Sequence, residues 1–438
     1  MKIQDILSKC KKENVRYLRL QFSDIMGMNK NVEVPSSQFQ KALEGNIFFD
    51  GSSIDGFARI EESDMKLKPD LSTFDILPWK NKEYGQEARV VCDIYTPDDT
   101  PFAGCTRYRL RQMLKKAQKM NYCLMVGPEI EFFLFHRNDD GEITTNTHDT
   151  GGYFDLTPVD KGEFTRRKIV EDLEKMGFEI EASHHEVASA QHEIDFKYVN
   201  ALSAADKIST FRFLVRKTSL DHNLHATFMP KPIFGEAGSG MHTNQSLFQG
   251  NQNIFYGKNE KYGLSKTAMY YMGGLLKHAK AITAVTNPLV NSYKRLVPGF
   301  EAPVTIAWAK QNRSPLIRVP GSTGQSTRIE MRNPDPACNP YLAIACMLAA
   351  GLDGIINKID PGEPAQENIF DLKNNSLQYE KLPANLEEAI EALEKSKLMK
   401  TVLGEHIFEN YIRAKKSEWK KYSSQVHDWE IQKYLNRY

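Results

Sequence analysis

Alternating apolar and polar residues predict a sheet in the N-terminal part of the chain. Residues 15–22 alternate as in a strand that buries one face, and residues 89–95 predict a second strand. The segment 97–101, Pro-Asp-Asp-Thr-Pro, is typical of a turn and interrupts this pattern. We therefore predict a small N-terminal domain over residues 1–103 and a larger domain over residues 104–438.

The larger part of the chain mixes strand-like and helical patterns. Residues 123–135 and the segments that lead to Phe196 predict strands, whereas longer periodic stretches predict helices. The predicted helices are residues 107–120, 166–176, 201–223, 265–286 and 340–357. The C-terminal part is charged and helical in pattern. Together these patterns predict an α+β class in which helices cover an antiparallel sheet.

Composition and charge narrow the class of protein. Hydrophobic residues make up 41% of the 438 positions and charged residues 26%, as in ordinary globular proteins. The net charge is +1, so no charge excess favours nucleic acid or a membrane surface. The six cysteines form no zinc pattern, and residues 1–5 lack the apolar run of a signal peptide. The longest apolar run, residues 341–352, is too short to span a bilayer. We therefore expect a cytoplasmic protein.

Two glutamates interrupt an apolar strand. In residues 127–135, Glu129 and Glu131 are two positions apart and share one face of a strand, with Ile130 and Phe132 on the other. Neighbouring carboxylates repel each other, and burying them is costly unless a cation lies between them. An amphipathic strand with one wet face is the alternative explanation, and this segment alone does not decide between the two.

Three further segments add side chains of the metal-ligand type. Residues 328–332 place Arg, Glu and Arg on one face, residues 184–195 carry two more glutamates, and a Gly-Ser-Gly-Met motif precedes His242. Each alone has an ordinary explanation, such as a surface ion-pair ladder or a structural histidine. Carboxylates with one imidazole suit Mg²⁺ or Mn²⁺. The candidate ligands are Glu129, Glu131, Glu186, Glu193, His242 and Glu330.

Loops rich in proline and glycine carry the candidate anion-binding groups. Residues 291–303 and 312–320 contain arginines, whose guanidinium groups bind carboxylates and phosphates in a fixed geometry. Glu301 lies between prolines and a glycine, which predicts a mobile flap. The chain has no Walker A motif and no dinucleotide fingerprint, so ATP would bind on another scaffold. Asp50 lies in a Gly/Ser loop, where it either caps a turn or belongs to a site.

These segments together resemble the glutamine synthetase family, in particular its type I bacterial and archaeal members. No motif is decisive alone, but their order and spacing are specific and extend over nearly the whole chain. The motifs are Asp50-Gly51-Ser52-Ser53, Gly127-Pro128-Glu129-Ile130-Glu131, His185-Glu186-Val187-Ala188, Gly238-Ser239-Gly240-Met241-His242, Lys294-Arg295-Leu296-Val297-Pro298-Gly299, Asn312-Arg313-Ser314 and Arg328-Ile329-Glu330-Met331-Arg332.

The resemblance implies a fold, an activity and an assembly. The expected fold is an N-terminal β-grasp domain and a catalytic domain of the glutamine synthetase and guanido-kinase type. The expected activity is ATP-dependent ligation of ammonia to L-glutamate through a γ-glutamyl phosphate, with two or more Mg²⁺ or Mn²⁺ ions. The expected assembly is a homododecamer of two stacked hexameric rings. Its active sites lie between adjacent subunits, and the neighbour supplies the loop that carries Asp50.

The resemblance also implies roles for individual residues. One metal is expected at Glu131, Glu186 and Glu193, and the other at Glu129, His242 and Glu330. The residues expected to contact glutamate are Gly238, Arg295, Glu301, Arg313 and Arg332. The residues expected to contact ATP are Glu181, Asn244, Ser246, Arg313, Arg318 and Arg328. The ammonium pocket is expected at Asp50, Tyr153 and Glu301. The catalytic residues are expected to be Asp50, Glu301 and Arg313.

Three departures from the family pattern bear on affinity and regulation. Ala237 stands where the family usually has Asn, which removes one contact to glutamate. Phe370 stands where adenylylated members carry the modified Tyr, so that form of control is not expected. The segment 57–62 resembles a shorter, feedback-inhibited branch, which makes Arg59 a candidate regulatory residue and a nitrogen-regulatory protein a candidate partner.

Two other functions compete with this assignment. A γ-glutamyl-polyamine synthetase of the same fold would use the same metal and phosphate groups. The ammonium pocket of Asp50, Tyr153 and Glu301 favours ammonia instead. A non-enzymatic assembly protein with this fold is disfavoured because all six candidate metal ligands are present.

Overall fold

The computed structural model describes residues 1–52, 54, 64–79, 83–365 and 379–438. Within these residues the strands form two sheets, and each sheet packs against its own apolar core. The strands of the first sheet are β1 (Val15–Ser23), β2 (Asn29–Pro35), β3 (Ile47–Asp50), β4 (Asp64–Pro69), β5 (Asp75–Ile76) and β6 (Gln86–Tyr95).

The second sheet is larger and contains the remaining strands. They are β7 (Cys123–Arg137), β8 (Ile143–Thr147), β9 (Ile180–His185), β10 (Gln191–Phe196), β11 (Val199–Asn200), β12 (Leu224–Thr227), β13 (Met241–Gln249), β14 (Gln252–Asn253), β15 (Trp308–Lys310), β16 (Ile317–Val319) and β17 (Ile329–Met331). The helices are α1 (Ile3–Lys12), α2 (Phe39–Leu43), α3 (Thr106–Lys119), α4 (Glu163–Lys175), α5 (Ala201–Asp221), α6 (Lys266–Thr286), α7 (Ser292–Arg295), α8 (Pro340–Asn357), α9 (Leu386–Lys395), α10 (Lys397–Ser423) and α11 (Asp428–Tyr434).

The small N-terminal sheet has the strand order β2-β1-β6-β4-β3, and β1 runs parallel to β6. Helix α1 covers it through the buried side chains of Ile6 and Cys10. A helix packed across a short mixed sheet is the β-grasp arrangement, which confirms that prediction. The predicted boundary between residues 103 and 104 lies in the connection from β6 to α3.

The large sheet follows the order β15-β16-β17-β13-β7-β10-β9. Among the described strands of this sheet, β15 and β16 pair in parallel and the other pairings are antiparallel, in agreement with the predicted α+β class. Strand β7 lies between β13 and β10, so its side chains face residues of two partner strands. This central position determines the geometry of the candidate site.

Local signals explain where the long helices begin. Asn339 accepts hydrogen bonds from the backbone N–H groups of Tyr341 and Leu342, and Pro340 occupies the first turn of α8. Ser265 caps α6 in the same way, by accepting from the N–H of Ala268. Helix α8 is long and apolar enough to span a membrane by composition, but 78% of that stretch is buried inside the fold. Its apolar sequence therefore reflects a core position against α6 and α3.

A buried arginine joins the two domains. Arg107, at the start of α3, forms ion pairs with Asp70 and Asp93 of the N-terminal domain and with Asp206 of α5. Tyr341 of α8 donates a further hydrogen bond to Asp206 over 2.8 Å. The Arg107 side chain is 3% exposed. Its positive charge therefore stabilises carboxylates that have little contact with water.

Candidate active site

The register of β7 brings the predicted acidic residues together. Glu131 of β7 lies opposite Glu193 of β10, and Glu129 lies opposite Asp195 of β10. On the other side of β7, Glu129 lies opposite His242 of β13. Antiparallel pairing places directly opposed side chains within contact distance on one face. Three segments far apart in sequence therefore meet at the middle of one strand.

The first group of ligand-type atoms is formed by Glu129, His242 and Glu330, as the resemblance implied. The Nδ1 atom of His242 lies 3.3 Å from Oε2 of Glu129 and 3.8 Å from Oε1 of Glu330. Glu330 is fully buried, and its oxygens accept hydrogen bonds from Arg318 and Arg332. These two arginines keep the Glu330 carboxylate oriented towards the group.

The second group contains Glu131 and Glu193, and His242 also faces it. The Nε2 atom of His242 lies 3.7 Å from Oε1 of Glu131. The other oxygen of Glu131 accepts hydrogen bonds of 2.9 Å from Gln191 Nε2 and from the backbone N–H of Gly240. These bonds hold Glu131 in place with Oε1 free to face the cluster.

Glu186 lies beside this second group, and Glu131, Glu186 and Glu193 line one cavity. Burial and the charges of Glu131 and Glu193 raise the pKa of Glu186 from 4.5 to about 9. Burial and the same kind of repulsion, chiefly from Glu131, raise the pKa of Glu193 well above its ordinary value. Without a cation, the protein therefore disfavours the ionised forms of Glu186 and Glu193.

Glu129 is in a different electrostatic environment. Burial opposes its ionisation, but hydrogen bonds from His242 and Asn244 outweigh that effect and lower the pKa of Glu129 to about 2. Asn244 Nδ2 donates to Glu129 over 2.9 Å. A set of buried carboxylates with one shared imidazole fits hard divalent cations such as Mg²⁺ or Mn²⁺. The residues present therefore fit the metals that the resemblance implied.

Outside the acidic cluster, the described residues contain another buried set of potential metal ligands: His148, Asp149, Asp160 and His192. Here Arg166 donates a hydrogen bond of 2.9 Å to Nδ1 of His192 and pairs with Asp160 over 2.8 Å. Because Nδ1 of His192 accepts this bond, the neutral ring carries its proton on Nε2 and offers no lone pair there. The set is an internally paired hydrogen-bond network, and we do not assign a metal to it.

A cavity of about 510 Å³ opens beside the acidic cluster. It is lined by the residues that the resemblance assigned to glutamate and ammonium within one chain: Tyr153, Gly238, Arg295, Glu301, Arg313 and Arg332. Arg318, which the resemblance assigned to ATP, lines this cavity as well. The predicted substrate residues of the large domain are therefore neighbours in space.

Arg295 differs from the loop arginine that the sequence pattern predicted. It ends the short helix α7 and is 2% exposed, and its guanidinium donates hydrogen bonds to the backbone carbonyls of Asn333 and Arg332. A Cβ atom on Gly238 would lie 2.3 Å from the carbonyl oxygen of Pro230. Only glycine fits at this position, which lets the backbone at position 238 approach the cavity.

A smaller cavity of about 270 Å³ adjoins the first, and Glu129 and Asp195 line both. Its lining includes the remaining residues that the resemblance assigned to ATP: Glu181, Asn244, Ser246 and Arg328. Arg328 Nε donates to Oδ1 of Asn244 over 2.9 Å. Since Asn244 also binds Glu129, a chain of hydrogen bonds connects this cavity to the first metal group.

One predicted residue, Asp50, lies away from this arrangement. Asp50 is exposed at the end of β3 in the small domain, where its carboxylate accepts hydrogen bonds from the N–H and hydroxyl of Ser52. Asp50 therefore caps a local turn and also faces solvent. Arg59 and Phe370 lie outside the residues that the structure describes.

Sequence reasoning missed Asp195 and His184. Asp195 lies opposite Glu129, and burial, with repulsion from Glu193, raises its pKa to about 9. His184 Nε2 lies 3.1 Å from Oε1 of Glu193. The period-two spacing of Glu193 and Asp195 in β10 was a signal that both share the face of the cluster.

Comparison with known proteins identifies the family of the chain. The sequence model for the glutamine synthetase catalytic domain matches residues 103–434, and that for the glutamine synthetase β-grasp domain matches residues 14–97. The chain is 54% identical to a glutamine synthetase of Thermus thermophilus and 53% identical to one of Methanosarcina mazei. These alignments cover 99% of the chain and 99% and 97% of the relatives.

Solved structures show the same architecture. A structure named GmaS/ADP complex superposes with a TM-score of 0.90 at 32% identity, and a glutamine synthetase of Plasmodium falciparum superposes with a TM-score of 0.89 at 27% identity. Both comparisons cover 99% of each chain. Motifs, fold and full-length relatives therefore lead to one conclusion: the chain belongs to the glutamine synthetase family.

Proposed function

We propose that this protein is a glutamate–ammonia ligase that uses ATP to form L-glutamine through a γ-glutamyl phosphate. The observation that carries the proposal is the convergence of six ligand-type side chains between two adjoining cavities. One cavity has the arginines that an amino acid with two carboxylates requires, and the other has the polar lining of a nucleotide site. A phosphoryl group would pass between them beside the acidic cluster.

The chemistry explains why this arrangement is needed. The side-chain carboxylate of glutamate is a poor electrophile, so it first attacks the γ-phosphorus of ATP and releases ADP. Mg²⁺ or Mn²⁺ held by the cluster would neutralise charge on the phosphate oxygens. Arg332 and Arg313 line the cavity where the transferred group would lie, and they stabilise its negative charge. Ammonia then attacks the acyl carbon, and phosphate leaves.

Ammonium must bind and lose a proton before it can attack. Glu301 and Tyr153 line the large cavity, and the Tyr153 hydroxyl oxygen accepts a hydrogen bond from Arg313. We assign proton removal to Asp50 and Glu301. Since Asp50 is exposed in the small domain of its own chain, we propose that it serves the site of an adjacent subunit in a homododecamer.

Regulation and location follow from the family branch. We propose that glutamine inhibits the enzyme through Arg59, that a nitrogen-regulatory protein binds it, and that it works in the cytoplasm. If Arg59 carries this control, Arg59→Ala relieves inhibition by glutamine and leaves the uninhibited rate within about twofold. Inhibition that is unchanged in this variant would remove Arg59 from the account.

The proposed activity is tested by product formation with purified protein. We expect ATP-dependent glutamine formation from glutamate and ammonium with Mg²⁺, and none after chelation of divalent ions. Glu129→Ala and His242→Ala each abolish it, because both side chains belong to the first metal group. A preference for putrescine over ammonium would overturn the assignment in favour of a γ-glutamyl-polyamine synthetase, and full activity of the two variants would overturn the metal site.

A further inference from the structure

Lys231 lies at a junction between three segments of the candidate active site. Its side chain is buried, with 8% of the residue exposed. The backbone N–H of Lys231 donates to Asn291 Oδ1 over 2.7 Å, and Asn291 Nδ2 donates back to the Lys231 carbonyl over 3.0 Å. Asn291 immediately precedes α7, the helix that carries Arg295. The backbone at Lys231 is therefore fixed to the element that positions a substrate arginine.

The ammonium group of Lys231 joins two further segments. It donates a hydrogen bond to the backbone carbonyl of Glu236, which precedes the Ala237–Gly238 stretch of the cavity wall. It also lies 3.6 Å from the centroid of the Phe300 ring. A cation this close to an aromatic face, in a site largely removed from water, is attracted strongly to the ring.

Phe300 belongs to the segment 298–303, which we call the flap. Its ring lines the large cavity next to Glu301, the residue assigned to ammonium. The neighbours of Phe300 have left-handed backbone conformations, with φ of +90° at Gly299 and +53° at Glu301. Glu301 is not a glycine, so this turn needs support from tertiary contacts. The ring of Phe300 on Lys231 provides such support.

We propose that Lys231 is a positioning residue that couples closure of the flap to the glutamate-binding loop. This inference rests on the proposed function and extends it. When glutamate orders the loop at residues 236–238, the carbonyl of Glu236 fixes the ammonium group of Lys231. The ammonium group then holds the Phe300 ring and, through it, Glu301 over the cavity. Lys231 acts through these neighbours and does not touch the reacting atoms.

The coupling has a chemical consequence. A closed flap keeps water from the γ-glutamyl phosphate while ammonia is bound. If the flap is loose, water attacks the acyl carbon, its proton leaves, the C–O bond to phosphate breaks, and glutamate and phosphate are released. ATP is then consumed without glutamine formation. The ratio of glutamine formed to ATP consumed therefore reports on closure of the flap. A general loss of stability would lower the amount of active enzyme but would not change this ratio.

The test uses three variants of the full-length protein and one matched control. Lys231→Met removes the charge, Lys231→Arg keeps a cation over the ring, and Phe300→Leu removes the ring while Lys231 stays. The control is Lys207→Met: Lys207 also donates to a backbone carbonyl, that of Gly177, over 2.7 Å and lies 4.1 Å from the ring centroid of Phe178. Lys207 belongs to α5 and is not among the residues that line either cavity.

We expect Lys231→Met to raise the KM for ammonium about 3- to 30-fold, the factor that a lost cation–π contact supplies. We expect it also to lower the yield of glutamine per ATP. Phe300→Leu should do the same, Lys231→Arg should restore most of the yield, and Lys207→Met should match the wild type. Thermal unfolding of each variant shows whether it is folded.

Several results would overturn the inference. One is wild-type yield and ammonium KM in Lys231→Met. Another is an equal loss of kcat in Lys231→Met and Lys231→Arg with unchanged yield, which indicates a purely structural lysine. If Lys231→Met does not fold, the yield of glutamine per ATP in Phe300→Leu decides. A wild-type yield in Phe300→Leu contradicts the inference. A wild-type chain that forms no glutamine at all would overturn the proposed function itself, and with it this inference.

Discussion

Glu131 and Glu193 are directly opposed across the antiparallel pair of β7 and β10, both buried. Like charges opposite each other in a sheet are destabilising, and burial adds to the cost. Nothing in the packing of two strands requires this pair. A divalent cation between the carboxylates turns the repulsion into attraction, so the pair indicates a site that is built for binding at some expense of stability.

Replacing one member of this pair should weaken metal binding without lowering the stability of the metal-free protein. We expect Glu193→Gln to leave the metal-free melting temperature unchanged or higher, because the amide is neutral without taking up a proton, whereas burial and Glu131 disfavour an ionised Glu193. We expect activity at a fixed Mg²⁺ concentration to fall about 100-fold or more, since even outer-shell changes at metal sites cost about 10- to 100-fold. Thermal unfolding with EDTA and with Mn²⁺, together with steady-state kinetics, checks both.

The control for this prediction is Glu179→Gln. Glu179 is an exposed carboxylate whose partner is Lys197, so its substitution should affect neither quantity by more than a small amount. The metal assignment would be contradicted by a Glu193→Gln protein that melts several degrees lower than the wild type without metal, yet whose melting temperature rises as much with Mn²⁺ as that of the wild type.

Metal binding should release protons at neutral pH. The pKa of Glu186 is raised from 4.5 to about 9, first by burial and then by its acidic neighbours. The metal-free folded protein therefore binds more protons than the unfolded chain between these two values, and its stability falls as pH rises through that window. A dication binds the ionised carboxylate, so its apparent affinity increases with pH.

Calorimetric titration of Mn²⁺ into the protein at pH 7, in buffers of different ionisation enthalpy, measures the number of protons released. We expect net release in the wild type and less in Glu186→Gln. Titrations that show no dependence on the buffer would mean that the acidic residues are already ionised before the metal arrives.

The period-two pattern was enough to place Glu129 and Glu131 on one face of a strand, and β7 has them there. The pattern did not show which strands lie beside β7. The position of His242 opposite Glu129 and the position of Asp195 on the other side depend on strand order and register. Strand order and register are long-range properties. The prediction that the ligands converge therefore came from the resemblance to a family and not from periodicity.

The same limit applies to the loops. Arginines in Pro- and Gly-rich segments predicted anion-binding groups on loops, but Arg295 ends a short helix and is buried and bonded to backbone carbonyls. The role inferred here for Lys231 had no sequence signal, because its partners Glu236, Asn291 and Phe300 are brought to it by the tertiary fold. The helices were predicted well because their caps and apolar periods are local, as the Asn339 cap of α8 illustrates.

The unusual Ala237 offers a test of substrate affinity. Ala237 packs against a small apolar cluster of Phe133, Phe135 and Ala188 and lines the large cavity. We expect Ala237→Asn to lower the KM for glutamate about 2- to 10-fold through one added hydrogen bond, with kcat nearly unchanged. Ala237→Val, which adds size without a donor, is the control and should not lower KM. An unchanged or higher KM in Ala237→Asn would exclude this contact.

The buried ion-pair network at Arg107 should hold the two domains together. We expect Arg107→Met to destabilise the protein by about 3–5 kcal/mol, because it leaves Asp70, Asp93 and Asp206 without their central cation. Arg111→Met is the matched control. Arg111 contacts Asp70 and Asp93 too but is 33% exposed, so we expect a loss of about 1 kcal/mol or less.

Urea unfolding followed by tryptophan fluorescence compares the two variants. If Arg107→Met and Arg111→Met lower the urea midpoint equally, the burial of Arg107 between the domains does not contribute the larger free energy of unfolding expected for it.

The most direct test of the account is the position of bound Mn²⁺ in crystals, located by anomalous scattering. We predict two peaks in each site, one among Glu129, His242 and Glu330 and the other among Glu131, Glu186 and Glu193. An absence of peaks at these groups, or a peak at the network of His148, Asp149, Asp160 and His192 instead, would contradict the claim that the acidic cluster is the metal centre of the enzyme.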